Sequence, residues 1–234
     1  MMHFPTGSLL SDHFCNGALA ADLKSYQPRL TMRASALAFY LLFTAKPLIG
    51  ESYQSDAVKA HQLANIRTAL ELQQTGMSNA WRDRLAESIA TTSGKHLLDP
   101  LLVVAVIQVE SRFDHKAVSS AGAQGLMQVQ PSVVTALAER GKMLPSTKNI
   151  KDPRVNVEVG VSYLAYLKEM FGDWKVALTA YNAGPSSVAK KIAAKKKLSF
   201  DYAYKVLSAH RELRQQLASV TNETSGNVEG KIIS

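Results

Sequence analysis

Asp99-Pro-Leu-Leu-Val-Val-Ala-Val-Ile-Gln-Val-Glu110-Ser-Arg112 carries an apolar run without interruption from Leu101 to Ile107. Asp99-Pro100 reads as an N-cap followed by proline at the first helical position, where a missing N–H costs nothing. A helix apolar on all sides belongs in the middle of a helical domain. Val103, Val106, Ile107 and Glu110 fall on one face by the i, i+3, i+4, i+7 rule. The sequence thus sets a carboxyl group at the C-terminal end of a buried stripe. Desolvation disfavours its anion and raises its pKa, and the helix C-terminus acts in the same direction. Such an acid can donate a proton near neutral pH. The spacing also fits a structural glutamate paired with Arg112 or another cation, so it does not identify a substrate.

Outward from this helix, every periodic segment reads as helical. Gln54 to Gln74 carries a weak stripe of Val58, Leu63, Ile66, Leu70 and Leu72. Ser78 or Asn79 caps a second helix through Ile89, with Thr91–Gly94 as its stop. A glycine-bearing loop occupies 115–126, and Pro131 opens a helix to Arg140. Val155, Val159, Tyr163, Leu164 and Leu167 mark a helix over 155–171. Further helices begin at Asp173 or Trp174 and at Pro185, and the last runs from Phe200 to Leu217. No stretch alternates as a strand does.

Residues 1–31 hold breakers more than builders. Met32-Arg33 then precedes an apolar run to Ala45. That run is about 12 residues, short of the ~17–25 a spanning helix needs. It reads as a signal-like segment, as an anchor or as a buried helix. Met1 and Met32 both remain candidate starts. The expected organisation is an extension over 1–50 containing the segment 32–45, a helical lead-in over 51–84, a catalytic domain over 85–217 and a flexible tail over 218–234.

The 234 residues suit one domain with appendages. Hydrophobic residues at 46% and charged residues at 20% exclude a disordered tail and a multi-span membrane protein. The balance of 27 Lys+Arg against 19 Asp+Glu, 27 − 19 = +8, points to a polyanionic partner. Cys15 is the one cysteine, so neither an intrachain disulfide nor a cysteine-based zinc site can form. Nucleic acid would need a recognition motif or interleaved aromatics, and neither is visible.

Three blocks follow in order. Glu110-Ser111-Arg-Phe-Asp leads to Ala117-Val-Ser119-Ser-Ala-Gly122-Ala-Gln-Gly125-Leu-Met-Gln128-Val-Gln-Pro131. Ala180-Tyr181-Asn182-Ala183-Gly184-Pro185 comes much later. Together they resemble the soluble-lytic-transglycosylase (SLT) domain, over about residues 85–210. The resemblance implies an all-α, lysozyme-like fold related to goose-type lysozyme, with a glycine-rich loop after the catalytic helix. It implies Glu110 as the catalytic acid and Ser119, Gln128, Tyr163, Tyr181, Asn182 and Tyr202 as substrate-binding residues. Gly122 and Gly125 permit backbone geometries a Cβ resists. Gln128 offers both donor and acceptor groups. The tyrosines offer flat faces suited to sugar rings or to core packing.

The chain departs from the family pattern at Gln130, where methionine is usual, and at Val133, where threonine is frequent. Leu198-Ser-Phe-Asp201 also replaces the usual acidic residue and threonine before the late tyrosine. These positions bear on subsite contacts, not on the acid.

Ordinary glycosidases use two carboxylates. Asp114, Glu139 and Glu158 are weak second candidates by position, and a one-acid site fits what the resemblance implies. Glu110 would protonate the oxygen between N-acetylmuramic acid and N-acetylglucosamine, the substrate's acetamido oxygen would stabilise the anomeric carbon, and the muramoyl O6 would close on C1. The resemblance implies no cofactor and no metal. Its implied partners are peptidoglycan glycan strands and a secretion or conjugation apparatus admitted by local wall remodelling. Its implied location is the periplasm or cell envelope, with membrane contact only through the N-terminal segment. A hydrolytic muramidase and a non-catalytic wall-binding module are the competing readings. Lys190, Lys191, Lys195, Lys196 and Lys197 form a basic cluster that fits a solvated helix face or a contact with the wall polymer.

Overall fold

The structure is a computed structural model that describes the backbone of residues 51–73, 75–139 and 149–229, with side chains from 57 to 221 within those ranges. The apolar segment 32–45, Cys15 and the rest of the 1–50 extension lie outside the described residues. So does the end of the 218–234 tail. Among the described residues no helix is long and apolar enough to cross a membrane.

Eight helices are described: α1 Glu51–Leu72, α2 Asn79–His96, α3 Pro100–Ser111, α4 Pro131–Glu139, α5 Pro153–Phe171, α6 Trp174–Ala183, α7 Pro185–Ala193 and α8 Asp201–Glu229. Extended pairing among the described residues is limited to two isolated bridges in the loop after α3, Val118 with Gln124 and Gln124 with Val129.

The apolar run 101–107 has the central place its composition demands. Residues Leu102 to Ile107 of α3 are all buried. Each larger side chain among them contributes about 2 kcal/mol of gross apolar burial. α1, α2 and α8 pack around this helix. The Asp99 side chain accepts from the Leu101 N–H at 2.9 Å, so the start read from sequence is the start observed.

The N-caps of α2, α5 and α6 follow the same logic, with Ser78, Asp152 and Asp173 accepting first-turn N–H groups. The end of α2 does not follow the sequence reading. The helix passes through Thr91–Gly94 to His96. Thr92 and Ser93 are buried there, and the Thr92 hydroxyl donates to the Ser88 carbonyl at 2.8 Å. Packing overrides the local stop, and Leu97 at φ 53° closes the helix instead. The last helix also continues past Leu217, to Glu229.

A smaller apolar cluster of Leu167, Ala177, Ala180 and Val188 joins α5, α6 and α7. Tyr163 and Tyr181 pack against both this cluster and the main core. The two cores therefore meet at the aromatic residues singled out from sequence.

Candidate active site

The chain turns sharply at the end of α3. Arg112 and Phe113 both take positive φ, 51° and 66°, which costs of order 1 kcal/mol each. Phe113 is buried and offsets part of that cost. The turn sends the glycine-bearing loop back over the C-terminal end of α3, beside Glu110.

That loop is fastened at several points. The Ser111 hydroxyl donates to the Leu126 carbonyl at 2.8 Å. From the other side Asn156 of α5, fully buried, accepts from the Met127 N–H at 2.8 Å. Its amide donates to the carbonyls of Gln124 at 2.7 Å and Ile150 at 2.9 Å. Gly125, at φ +76°, lies so close to Asn156 that a Cβ would sit 2.4 Å from Nδ2. One turn along α5, a Cβ on Gly160 would come 2.7 Å from the Cβ of Met127. These glycines let loop and helix touch. Gly122 instead serves a turn, at φ +78° with open space where its Cβ would be.

A cleft of about 380 Å³ opens beside the loop. Glu110, Ser119, Gln128, Tyr163, Tyr181 and Asn182 all line it. Six of the seven residues expected from sequence thus share one cavity. Gln130 and Val133, two of the departures from the family pattern, line it as well.

Tyr202, the seventh, stands on the acid itself. Its hydroxyl donates to Glu110 Oε1 at 2.5 Å. It is not among the residues that line the cleft, and the contact it makes is with the acid. Arg112 is not Glu110's partner: among the described residues the carboxyl makes no ion pair. Burial pushes the Glu110 pKa above the usual carboxylate range, and the Tyr202 hydrogen bond partly counters this. Burial, with the Glu110 charge beside it, pushes the Tyr202 phenol well above its ordinary value, so it remains a donor. Oε1 accepts from Tyr202, which leaves Oε2 as the carboxyl oxygen without that hydrogen bond.

Two further roles change in detail. The Gln128 amide donates to the loop carbonyls of Gly125 at 3.0 Å and Ala117 at 3.2 Å. Only its carbonyl oxygen is left for the cleft, not the donor–acceptor pair that the sequence suggested. The Tyr181 hydroxyl donates to the Met127 carbonyl at 2.8 Å, so Tyr181 offers its ring and oxygen lone pairs but no proton. Burial and the nearby Glu110 and Tyr163 keep that phenol un-ionised. Tyr163 and Tyr181 meet with ring centres 5.5 Å apart. The Ser119 hydroxyl accepts from the Ala123 N–H at 3.0 Å and keeps its own proton to donate. Asn182 is exposed in the last turn of α6.

No second carboxylate lines the cleft among the described residues. Asp114 accepts from the Lys116 N–H at 2.8 Å, and Glu158 pairs with Lys95 at 3.4 Å. No group of three His, Cys, Asp or Glu side chains suited to a metal occurs among the described residues.

The family model for the transglycosylase SLT domain matches residues 87–203. The chain belongs to that family. Among curated SLT relatives, it is similar to membrane-bound lytic murein transglycosylase E of Buchnera aphidicola subsp. Acyrthosiphon pisum, 30% identical over 154 residues, 58% of this chain and 68% of that one. It is similar to the soluble lytic murein transglycosylase of Escherichia coli K12, 35% identical over 100 residues, 42% of this chain but only 15% of that one. The solved complex of a 70-kDa soluble lytic transglycosylase with bulgecin A superposes with a TM-score of 0.51 at 23% identity. That match covers 68% of this chain and 30% of the other, and it supports the all-α SLT fold.

Asn156 and Ser111 are the residues that sequence reasoning missed as parts of this SLT site. Asn156 had a signal: it interrupts the apolar series Val155, Val157, Val159, Val161. A polar side chain there must be hydrogen-bonded if buried.

Proposed function

We propose that this chain is a peptidoglycan lytic transglycosylase, a lyase that cleaves the β-1,4 bond between N-acetylmuramic acid and N-acetylglucosamine. The observation that carries this reading is a lone, desolvated Glu110 held by Tyr202 in a cleft with no second carboxylate among its described residues. Glu110 gives its Oε2 proton to the glycosidic oxygen, and the bond from that oxygen to C1 of the muramoyl sugar breaks. The substrate's 2-acetamido oxygen stabilises the cationic C1 in place of a protein nucleophile. Ser119 and Asn182 are the cleft donors available to that acetamido group, with Tyr163 and Tyr181 as ring surfaces for the sugars. Glu110, now the anion, takes the proton from the muramoyl O6 hydroxyl. O6 bonds to C1 and leaves a 1,6-anhydro end, so the acid returns to its starting state and no water is consumed.

The envelope is where this substrate lies, and the apolar segment 32–45 supplies a route there as a signal or an anchor. Local remodelling of the wall, in service of a secretion or conjugation apparatus, is the role we assign. Mass spectrometry of muropeptides released from sacculi tests the chemistry. The expected product is lighter by one water than a muramidase product, and Glu110→Gln abolishes release while sacculus binding persists. A hydrated end would assign a muramidase. Equal release by Glu110→Gln would remove the acid from the reaction.

A further inference from the structure

We infer that the lysine-rich end of α7 is a binding surface for the carboxylates of peptide stems borne by the glycan strand in the cleft. The inference rests on the reading above and extends it from the cut bond to the substrate's flank.

α7 starts at Pro185, directly after Gly184, which lines the cleft. Its Val188 is buried in the small cluster with Leu167, Ala177 and Ala180, against which Tyr163 and Tyr181 also pack. The helix is therefore fixed to the same support as the aromatic wall of the site. At its far end the Lys195 backbone turns at φ 51°. The Lys195 N–H donates to the Ile192 carbonyl at 2.9 Å and the Lys196 N–H to the Lys191 carbonyl at 2.8 Å. This closure turns the backbone of 195–196 back over the helix end, beside Lys191 and Ile192.

Lysine at a helix C-terminus is ordinary, because the dipole there offers about half a negative charge. Half a charge does not account for five lysines. Arg67, Arg82 and Lys95 each have an acidic partner elsewhere in the fold. Lys191, Lys195, Lys196 and Lys197 are exposed and form no ion pair among the described residues. The Asp201 carboxylate accepts from the Ser199 hydroxyl at 2.6 Å and forms no ion pair with these lysines among the described residues. Lys191, Lys195, Lys196 and Lys197 thus form a positive patch with no ion-paired carboxylate among the described residues, on the helix that begins at the cleft-lining Gly184.

Dimensions agree. Gly184 to Lys191 is about 10 Å along the helix. An extended peptide of about four residues reaches about 13 Å. A stem leaving a sugar near Asn182 can place its carboxylates among these lysines.

The test compares wild type with a variant carrying Lys190→Gln, Lys191→Gln, Lys195→Gln, Lys196→Gln and Lys197→Gln, none of them in the catalytic machinery. Two substrates are used: native sacculi, and sacculi whose carboxylates are capped as methylamides by carbodiimide coupling. On native sacculi the variant should show about a fivefold higher KM with kcat unchanged, the sum of a few weak exposed pairs. On capped sacculi wild type should already have the higher KM, and the variant should add nothing. Raising salt from about 0.02 M to about 0.3 M should weaken wild type alone.

Sedimentation of each chain with sacculi, in a Glu110→Gln background, reads the surface independently of turnover. Inactive wild type with lysine-dependent sedimentation would remove the activity and leave this surface. An unchanged KM, or an equal loss on native and capped sacculi, overturns the inference. So does lysine-dependent capture by phosphatidylglycerol vesicles with unchanged sacculus binding, which would assign the surface to lipid.

Discussion

Ser111 and Asn156 hold opposite ends of one peptide group. The Ser111 hydroxyl takes the Leu126 carbonyl, and the Asn156 side chain takes the Met127 N–H, both at 2.8 Å. The first residue adjoins the catalytic acid and the second belongs to another helix, so the loop is registered against Glu110 from two sides. The next carbonyl, of Met127, accepts from Tyr181. Replacing Asn156 by leucine keeps the volume but strands the buried Met127 N–H and Ile150 carbonyl, while the Gln124 carbonyl keeps the Val129 N–H. At about 1–3 kcal/mol per stranded group, partly relieved by relaxation, the expected loss is about 3 kcal/mol in urea unfolding. Asn156→Asp keeps the acceptor for Met127 and loses both donors, and it too should fall below wild type.

Tyr202→Phe should separate aiming from acidity. The Tyr202 hydrogen bond favours the Glu110 anion and lowers its pKa against the rise caused by burial. Without it the pKa climbs further. The limb where activity falls as the acid deprotonates should move to higher pH, while kcat drops about tenfold as the carboxyl loses its anchor. A pH–rate profile on sacculi reads both effects. A limb that stayed in place or moved down would contradict the geometry.

Gly125→Ala meets two obstacles together. The backbone is at φ +76°, and the new Cβ would sit 2.4 Å from the Asn156 amide nitrogen. A destabilisation of roughly 2–3 kcal/mol is expected from urea denaturation midpoints at unchanged slope. Gly122→Ala is strained by its φ alone and should cost less, because open space surrounds the position.

Asp99 gives the fold an acid-side limit. Burial raises its pKa, but the hydrogen bond from His210, the Leu101 N–H and the charges of His210 and Arg214 outweigh that and set it below the ordinary range. The His210 ring nitrogen lies 2.7 Å from the carboxylate. Because the folded pKa lies below the unfolded one, the unfolded chain binds more protons across that interval, and stability rises with pH through it. The contribution is whole above the unfolded value of about 4 and is lost as pH falls through the lower folded value. Asp99→Asn retains an oxygen for the N-cap and removes the titration. Its stability should therefore fall less steeply than wild type below about pH 4 in pH-dependent unfolding.

Much of this architecture is legible in the sequence where local chemistry and tertiary packing agree. Asp99-Pro100 announces α3, and the unbroken apolar run places it at the centre. Asp173 and Pro185 mark the starts of α6 and α7 in the same way, whereas α5 begins at Pro153, two residues before the start read from its apolar spacing. The reading fails at Thr91–Gly94, where four weak helix formers lie inside a helix because two of them are packed against the core. The site divides along the same line. Residue types reveal which side chains carry chemistry, and six of seven meet in one cleft. They do not reveal which polar atoms are already used. The Gln128 amide and the Tyr181 proton go to backbone carbonyls created by the loop's path, which no spacing along the chain encodes. The partner of Glu110 is likewise hidden, since Tyr202 lies 92 residues away.

That separation sets an order in time. Glu110 emerges early in synthesis, on a helix whose apolar sides need α8 as a cover. The phenol that steadies it arrives only with α8. A shortened or half-made chain would own the acid without the hydroxyl that aims it, so the power to cut is acquired late, as the closing helix settles into place.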